Sequence, residues 1–171
     1  MSDLKIVNIV VSLTMSEKID ISDAYSHNGK KFSGLIRKVG SKTLLIFKSG
    51  KINVTGVTSL PDAIDLVEST FPNLKIISHR ISNMTTSFKL SQRIDFQKMM
   101  ENWKVIQYEP ECFPGMYWRK PNSRIVCIFF HSGKGIITGS SSYVDLYDSY
   151  LEFFNGISSY IVRDSYINLS K

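Results

Sequence analysis

Runs of hydrophobic residues along the first third of the chain predict four strands. The segment from Lys5 to Thr14 is rich in Ile and Val, which favour extended backbone. Turn residues at Gly40-Ser41 and Ser49-Gly50 separate the apolar runs that follow. The pattern therefore predicts a strand followed by a meander at Phe32 to Val39, Lys42 to Phe47 and Lys51 to Thr55.

Helical periodicity begins after the meander. Ser59 is the expected N-cap and Pro61 lies in the first turn. Apolar spacing predicts one helix face that carries Ile64, Val67 and Phe71, and a second helix near the C-terminus whose face carries Val144, Tyr147, Leu151 and Phe154. A further helix is expected from Asp95 to Ile106, burying Met99 and Trp103 or their neighbours. Its counterpart in the first half is cut short at Asn28-Gly29.

Three sequence patterns occur twice in the same order. Those around Asn8 and Asn83 are 75 residues apart, those around Phe32 and Phe113 are 81 apart, and Phe47-x-Ser49-Gly50-Lys51 recurs 83 residues later as Phe130-x-Ser132-Gly133-Lys134. Repetition of this kind indicates an internal duplication. We expect residues 1–171 to form a single α+β domain of two pseudo-symmetric repeats, about 4–74 and 75–162.

Two of the predicted strands are apolar at successive positions, 44–47 and 125–130, so both faces of the sheet carry hydrophobic side chains. Three or four helices can cover only one face. The other, bearing Leu45, Phe47, Ile128 and Phe130, is predicted to be an interaction surface, because large exposed apolar patches usually mark one.

Basic and acidic residues are concentrated in different predicted elements. The chain carries a formal net charge of +6, and the windows 30–51 and 113–134 hold basic residues without a single acid. The helices at 57–74 and 140–157 contain acids and no lysine or arginine. A basic rim around a phenylalanine-bearing sheet favours binding in the minor groove of DNA with insertion of aromatic wedges. Lysines that merely protect strand edges against aggregation are the alternative interpretation.

Catalytic, metal and membrane functions find little support in the sequence. The widely spaced His27, His79 and His131 form no catalytic pattern, and Cys112 and Cys127 lack zinc-ligand spacing, so we expect two reduced packing cysteines, no cofactor and no enzyme activity. The apolar stretch from Ile6 to Leu13 is too short to span a bilayer. A soluble intracellular protein with no membrane contact is predicted.

Motifs in both halves resemble the core domain of the TATA-box-binding protein family. Tyr108-Glu109-Pro110-Glu111-x-Phe113-Pro114-Gly115 and the segment from Ile128 to Gly139 resemble its second repeat, and the segment from Asn8 to Gly56 resembles its first. The resemblance covers roughly residues 4–162. It implies a saddle-shaped curved antiparallel sheet with its concave face on DNA and helices on the convex face, and it implies a general transcription initiation factor that bends promoter DNA.

The resemblance also implies roles for individual residues. Intercalation into DNA would fall to Phe32, Phe47, Phe113 and Phe130. Base contacts in an A·T-rich minor groove of double-stranded DNA would come from Asn8, Val10, Leu45, Asn53, Thr55, Asn83, Thr85, Ile128, Ile136 and Thr138. Phosphate contacts would come from Arg37, Lys42, Lys51, Arg119, Arg124 and Lys134.

The chain departs from this family at the floor of the groove. Four positions that are usually valine read Val10, Asn53, Thr85 and Ile136, so two are polar. A polar floor could accept the guanine amino group that an apolar one excludes, which would relax the preference for a TATA element. A divergent member that binds other DNA, or represses, is therefore one alternative. The other is a protein-interaction module whose concave sheet is covered by a DNA-mimicking protein or by a second copy.

Partner expectations also come from the resemblance. The element Tyr108, Glu109, Pro110 and Glu111, where the family docks transcription factor IIB, is present, so we expect a IIB-like partner. The first-repeat helix is acidic where the eukaryotic family is basic, which argues against a transcription factor IIA-like contact. The family implies a nuclear location, or a cytoplasmic transcription site in the case of a cytoplasmic virus.

Overall fold

A computed structural model describes residues 4–21 and 34–162 of the chain. The first half contains β1 (Lys5–Met15), β2 (Gly34–Val39), β3 (Lys42–Phe47), β4 (Lys51–Val57) and α1 (Leu60–Thr70). The second half contains β5 (Ile76–Lys89), β6 (Arg93–Ile94), α2 (Phe96–Asn102), β7 (Ile106–Gln107), β8 (Met116–Arg119), β9 (Val126–Phe129), β10 (Lys134–Ser140), α3 (Tyr143–Ile157), a 3-10 turn (Ser158–Tyr160) and β11 (Ile161–Val162).

The described residues divide into two compact units, one within residues 6–85 and the other within residues 1–5 and 86–171. In the first unit the strands lie in the order β2-β3-β4-β1-β5. In the second unit the last residues of β5 are followed by β10-β9-β8-β7, and β11 pairs with β6. The ladders β1–β4, β2–β3, β3–β4, β7–β8, β8–β9, β9–β10 and β6–β11 are all antiparallel. The predicted α+β class with an antiparallel sheet is confirmed.

Helix α1 begins and ends close to where its sequence predicts. The Ser59 side chain accepts a hydrogen bond from the Asp62 N–H and caps the helix, and Pro61 lies in the first turn. The buried residues are Ala63, Leu66 and Val67, whereas Ile64 is only half-buried and Phe71 is the half-buried C-cap. The predicted face was therefore wrong in part: the buried stripe begins one residue earlier, at Ala63, and α1 packs on β4.

Helix α3 buries a face different from the one predicted. Leu146, Tyr150, Phe153 and Ile157 are fully buried, while Val144 is 64% exposed. The buried stripe starts two residues later, at Leu146, and Leu151 and Phe154 of the predicted face are half-buried beside it. Phe153 decides the orientation, because its ring packs against an aromatic group from several elements: its centroid lies 5.8, 6.2, 5.7 and 4.8 Å from those of Phe88, Trp103, Trp118 and Phe129.

Helix α2 is shorter than predicted. Asp95 caps it by accepting from the Lys98 N–H at 3.1 Å, and Met99 is fully buried as expected. The helix ends at Asn102 because Trp103 adopts extended backbone angles, and Ile106 already belongs to β7. The half-buried Trp103 ring stacks near Trp118 and Tyr160 at centroid distances of 6.4 and 6.5 Å. No helix in the described part of the chain is long and apolar enough to cross a membrane.

Candidate nucleic-acid interface

Alternate residues of β3 and β4 point to two different environments. Leu44, Ile46, Ile52 and Val54 are buried on the side against which α1 packs. Their neighbours along the strands are half-buried or exposed, because no helix of the first unit covers that side among the described residues. We call this side of residues 6–85 the first open face; it carries Asn8, Val10 and Ser12 of β1, Leu45 and Phe47 of β3, and Lys51, Asn53 and Thr55 of β4.

The second unit repeats the arrangement. Cys127, Phe129 and Ile137 are buried beneath α3, which packs on β10. The intervening positions form what we call the second open face, which carries Tyr117 of β8, Ile128 of β9, Lys134, Ile136 and Thr138 of β10, and Phe130 directly after β9. The two-faced strands expected from the sequence are therefore present in each unit.

Three of the four predicted intercalating residues can be located. Phe47, Phe113 and Phe130 are half-buried, and Phe32 lies outside the described residues. The Phe113 ring packs against Phe130 at a centroid distance of 5.9 Å and against Tyr117 at 5.4 Å. Gly115 makes this pair possible, since a Cβ atom there would lie 3.0 Å from the Phe130 ring and 2.5 Å from the Phe113 ring.

Phe47 and Phe130 occupy the same place in two matching hairpins. Each backbone carbonyl accepts a hydrogen bond from the glycine three residues later, Gly50 at 3.0 Å and Gly133 at 2.9 Å. Both glycines have a positive φ, 83° and 78°, and a Cβ atom at either would collide with a backbone carbonyl oxygen, of Glu17 or of Leu90. Left-handed backbone of this kind suits glycine. Each phenylalanine is thus held just before a rigid turn.

Asn8 is oriented by its neighbours in β4. Its Oδ1 accepts from the Gly56 N–H at 2.8 Å and from the Thr55 hydroxyl at 3.3 Å. With the oxygen engaged by the protein, the amide N–H groups of Asn8 are directed away from those bonds. Asn83 and Thr85 in β5, and Thr138 in β10, are half-buried strand residues at the corresponding positions of the second repeat.

The predicted floor residues differ between the repeats. Asn53 lies opposite Leu45 on one side and Ser12 on the other, and Ser12 Oγ is 2.7 Å from Asn53 Oδ1. At the matching place in the second unit, Ile136 lies opposite Ile128, so two apolar side chains meet. Val10 sits at a register shift in the β1–β4 ladder, between Ile9 and Val11.

Four of the predicted phosphate-binding residues are exposed at or beside the open faces. Lys51 and Lys134 begin β4 and β10 and share the strand face of Asn53 and Ile136, respectively. The guanidinium of Arg119 lies over the Tyr117 ring, 5.8 Å from its centroid, and Arg124 is exposed in the turn before β9. Cationic side chains in these places can reach phosphates around an apolar surface.

Arg37 and Lys42 face the other way. Lys42 forms an ion pair with Asp62 of α1, and Arg37 lies opposite the buried Leu44, so both belong to the helix-covered side of the strands. The prediction that these two residues bind phosphate is corrected accordingly. Lys38, opposite Thr43, occupies the place that Arg119 holds opposite Val126. Sequence reasoning missed Lys38 because only the ladder register separates it from Arg37.

The chain matches the family model described as "Transcription factor TFIID (or TATA-binding protein, TBP)" twice, over residues 3–77 and 78–160. The chain belongs to this family. The TATA-box-binding protein of Aeropyrum pernix is 33% identical over 163 residues, covering 86% of this chain and 80% of that protein. The TATA-box-binding protein of Methanococcus maripaludis strain C6 is 32% identical over 166 residues, covering 86% and 90%, respectively.

A solved structure of the same family has a similar fold. It is titled "Methanococcus jannaschii TBP", is 28% identical, and superposes with a TM-score of 0.79 over 92% of this chain and 99% of that one. The resemblance of this chain to the TATA-box-binding protein family, stated above from its motifs, is thereby confirmed. The fold expected from that family also agrees with the element order described here.

The element Tyr108-Glu109-Pro110-Glu111 is anchored by hydrogen bonds and ring packing. Glu109 and Glu111 are exposed, and the Glu109 carbonyl accepts from the backbone N–H groups of Cys112 and Phe113 at 3.0 and 2.9 Å. The Tyr108 ring packs edge-on against Phe96 at 5.1 Å, and its hydroxyl lies 3.2 Å from His131 Nε2. The two carboxylates are therefore displayed from a fixed turn.

The two cysteines differ in their surroundings. Cys127 is fully buried in β9, and this burial raises the pKa of its thiol well above the usual value. Cys112 is exposed, so its prediction as a packing residue was wrong. It lies in the turn that begins at Glu109, and this turn leaves the thiol outside the core. Within residues 4–21 and 34–162, no group of three or more His, Cys, Asp or Glu side chains could hold a metal ion.

A groove of about 630 Å³ lies on the first open face beside Phe47. It is lined by the predicted Lys51 and Asn53, and also by His79 and Arg80 of β5, which sequence reasoning did not select. Both are exposed and place an imidazole and a guanidinium group at the groove beside Phe47. The available signal was a basic pair at the start of a repeat, but it lay outside the two acid-free windows.

Proposed function

We propose that this chain binds the minor groove of A·T-rich promoter DNA, bends it by inserting phenylalanines, and serves as a general transcription initiation factor. The observation that carries the proposal is the half-buried phenylalanine before a rigid glycine turn in each unit, Phe47 and Phe130, with Phe113 packed on the latter. Partial exposure of large apolar rings costs free energy in water, and burial between base steps removes that cost.

The chemistry of the open faces supports the minor groove as the target. Their centres carry apolar Leu45, Ile128 and Ile136, and the amide groups of Asn8 and Asn53. A minor groove of A·T pairs presents acceptors and no amino group, so it accommodates apolar side chains and rewards N–H donors. Guanine would place its amino group, an N–H donor, against both the apolar side chains and the N–H donors of the protein. An A·T-rich site is therefore the best fit.

The charges support attraction to a polyanion. Lys38, Lys51, Arg119, Arg124 and Lys134 are exposed at or beside the open faces, and their ammonium and guanidinium groups make no ion pair with a described residue. By contrast, Lys42 and Lys120 pair with Asp62 and Glu152 of the helices. The cations left unpaired are those that could neutralise phosphates.

The absence of catalytic activity expected from the sequence accords with a DNA-binding role in this family.

The test is binding and bending of DNA with wild type and the double variant Phe113→Ala, Phe130→Ala. Duplexes with a TATA element or a GC-rich sequence carry dyes at both ends, so that energy transfer reports bending and anisotropy reports binding over a salt series. Wild type is expected to bend the TATA duplex, and the double variant to lose most of the bend. Phe154→Ala is the matched control, because Phe154 is also half-buried but lies on α3.

Each other outcome points to one of the alternatives. Equal binding and bending of both duplexes would keep the insertion mechanism and remove the TATA preference. Absence of binding at low salt, even with a IIB-like protein present, would leave the open faces as protein interfaces. Sedimentation of the free protein would then show whether a second copy covers them.

The IIB-like partner is a separate part of the proposal. Glu109 and Glu111 project from the anchored turn beside Phe113, within reach of a basic protein surface next to DNA. Reversal of both charges with Glu109→Lys and Glu111→Lys is expected to abolish the ternary complex with a IIB homologue in a mobility-shift assay. Binding to DNA alone should persist. A ternary complex of unchanged affinity would contradict this assignment.

The nuclear location expected from the family stays a prediction.

A further inference from the structure

One polar row crosses the first open face from strand to strand. Leu45 of β3, Asn53 of β4 and Ser12 of β1 are successive partners in the antiparallel ladders, so their side chains stand on the same side of the sheet. Ser82 of β5 continues the row, with its Oγ 3.4 Å from that of Ser12. Asn53 therefore sits in the middle of the surface proposed to meet DNA.

The distances fix the direction of the hydrogen bonds in this row. Ser12 Oγ and Asn53 Oδ1 are 2.7 Å apart, a separation typical of a hydroxyl donating to an oxygen and short for an amide N–H donor. The hydroxyl of Ser82 donates to the Val10 carbonyl at 3.1 Å. The 3.4 Å between the two serine oxygens is too long for a good O–H···O bond. Ser12 therefore donates to Asn53.

The other half of the Asn53 amide is left for a ligand. Its Oδ1 accepts from Ser12, and its Nδ2 bonds to no residue in the described part of the chain. No buried side-chain nitrogen or oxygen lacks a partner there, so this unbonded nitrogen is accessible to solvent. It borders the groove of about 630 Å³ beside Phe47. An accessible amide held by its oxygen is a directed N–H donor.

We propose that Asn53, positioned by Ser12, donates a hydrogen bond to a minor-groove acceptor and so reads one base pair in the half-site bound by the first repeat. This inference rests on the proposed function. The donor would match adenine N3 or thymine O2 and would oppose the guanine amino group, itself a donor. An N–H donor at this position disfavours guanine, which is the reverse of the sequence-based expectation that a polar floor accepts guanine.

The position of the second repeat that corresponds to Asn53 carries no hydrogen-bond donor. Ile136 holds the corresponding place and meets Ile128 across the ladder, so it can exclude an amino group by shape but cannot reward an acceptor. The two repeats thus apply different chemistry to their half-sites. The protein would therefore distinguish the two orientations of a binding site along the DNA, which a symmetric protein surface would not.

The experiment removes the acceptor and leaves the base pair intact. Anisotropy titrations use duplexes in which 3-deazaadenine, with carbon in place of N3, replaces one adenine at a time, with adenine on either strand of each A·T pair. Wild type is expected to lose about fivefold to tenfold in affinity at one pair, as for loss of a hydrogen-bond partner. Asn53→Val, which suits a strand and lacks the donor, should lose nothing at that pair.

Two further arms test polarity and positioning. An amino group is added to the groove at the same pair with 2-aminoadenine, and wild type is expected to bind this duplex less tightly. Ser12→Ala frees the Asn53 amide to rotate, so the penalty for 2-aminoadenine, measured against the unmodified duplex, should be smaller than in wild type. The hydroxyl of Ser12 would thereby be identified as the group that sets the orientation.

The outcomes separate this inference from the proposed function. Equal sensitivity of wild type and Asn53→Val to 3-deazaadenine at every pair would overturn the donor role while leaving DNA binding intact. Tighter binding of wild type to the 2-aminoadenine duplex would show an outward-facing Oδ1 and overturn it as well. Failure of wild type to bind any duplex would instead refute the proposed function, and the inference with it.

Discussion

Lys42 and Lys51 stand at the starts of neighbouring strands, but their ammonium groups have different surroundings. Lys42 faces the helix-covered side and pairs with Asp62, whereas Lys51 is exposed on the first open face. A charge that already has a partner gains little from a phosphate. At the scale of a single residue, the side of the sheet to which a lysine points therefore decides whether its charge is available to DNA.

This difference predicts unequal effects on the salt dependence of DNA binding. Replacing a lysine that contacts phosphate should lower the slope of log affinity against log salt by about one unit. We expect that reduction for Lys51→Ala, and an unchanged slope for Lys42→Ala. Titrations at four or more salt concentrations measure both slopes, and equal reductions in the two variants would contradict the assignment.

The two thiols should react very differently. Cys127 is fully buried and burial raises the pKa of its thiol, while Cys112 is exposed. At pH 8 we expect a chromogenic disulfide reagent to modify one thiol quickly in the folded protein and the second only after addition of denaturant. Cys112→Ser should remove the fast reaction. Rapid modification of both thiols in the native state would refute the burial of Cys127.

The raised pKa of Cys127 also has a consequence for stability. The unfolded thiol ionises near pH 8.5, whereas the folded one remains protonated to higher pH. Its contribution is therefore complete below the unfolded pKa, and the free energy of unfolding falls as pH rises above that value. Urea titrations from pH 7 to 10 should show a smaller decline for Cys127→Val than for wild type. Equal declines would show that this thiol is not responsible.

Among the elements, α3 shows how a helix is oriented by its neighbours. Its sequence contains two apolar stripes, and the exposed one includes Val144. Only packing partners from other elements distinguish them, since Phe88, Trp118 and Phe129 form the surface on which Phe153 rests. Periodicity predicted the existence of the helix, which Ser142 caps, but not the face that it buries.

Substitutions on the two stripes of α3 should separate them. Phe153→Ala removes a fully buried ring and should lower the free energy of unfolding by about 3–5 kcal/mol. The matched change Val144→Ala, on the exposed stripe, should stay within about 0.5 kcal/mol. Urea denaturation followed by circular dichroism measures both. A large loss in the valine variant would mean that this stripe is covered in solution.

The element boundaries that the sequence predicted well are those marked by local chemistry. Ser59 and Asp95 cap their helices, and the turns at Gly50 and Gly133 end the strands before them. The boundary that it missed, the end of α2, depends on Trp103 leaving the helix to stack near Trp118 and Tyr160. Contacts distant in sequence determine such an end, and no local pattern records them.

At the scale of the whole molecule, sequence repetition was the most informative signal. It predicted matching hairpins with Phe47 and Phe130 at equivalent points, and the structure contains them. It could not reveal where the repeats differ in hydrogen bonding. The pairing of Ser12 with Asn53 requires the ladder register, which places residues 41 positions apart on one surface.

The charge of the molecule predicts a strong overall dependence of DNA affinity on salt. Five basic residues at or beside the open faces, Lys38, Lys51, Arg119, Arg124 and Lys134, are available to phosphates. Release of counterions from that number of phosphates gives a slope of about −4 to −5. A slope near zero would contradict a phosphate-binding rim. Titrations with a GC-rich duplex should give a similar slope, because phosphates carry no sequence information.

The alternation of buried and half-buried residues along β3 also affects how the sequence of such a protein can change during evolution. Leu44 and Ile46 support the folded core, and substitutions there would threaten stability. Leu45 and its ladder partner Asn53 are not part of the buried core, because they lie on the first open face. Mutational drift at these positions can alter recognition without unfolding the protein. A strand built in this way allows selectivity to diverge between two duplicated halves while the architecture stays the same.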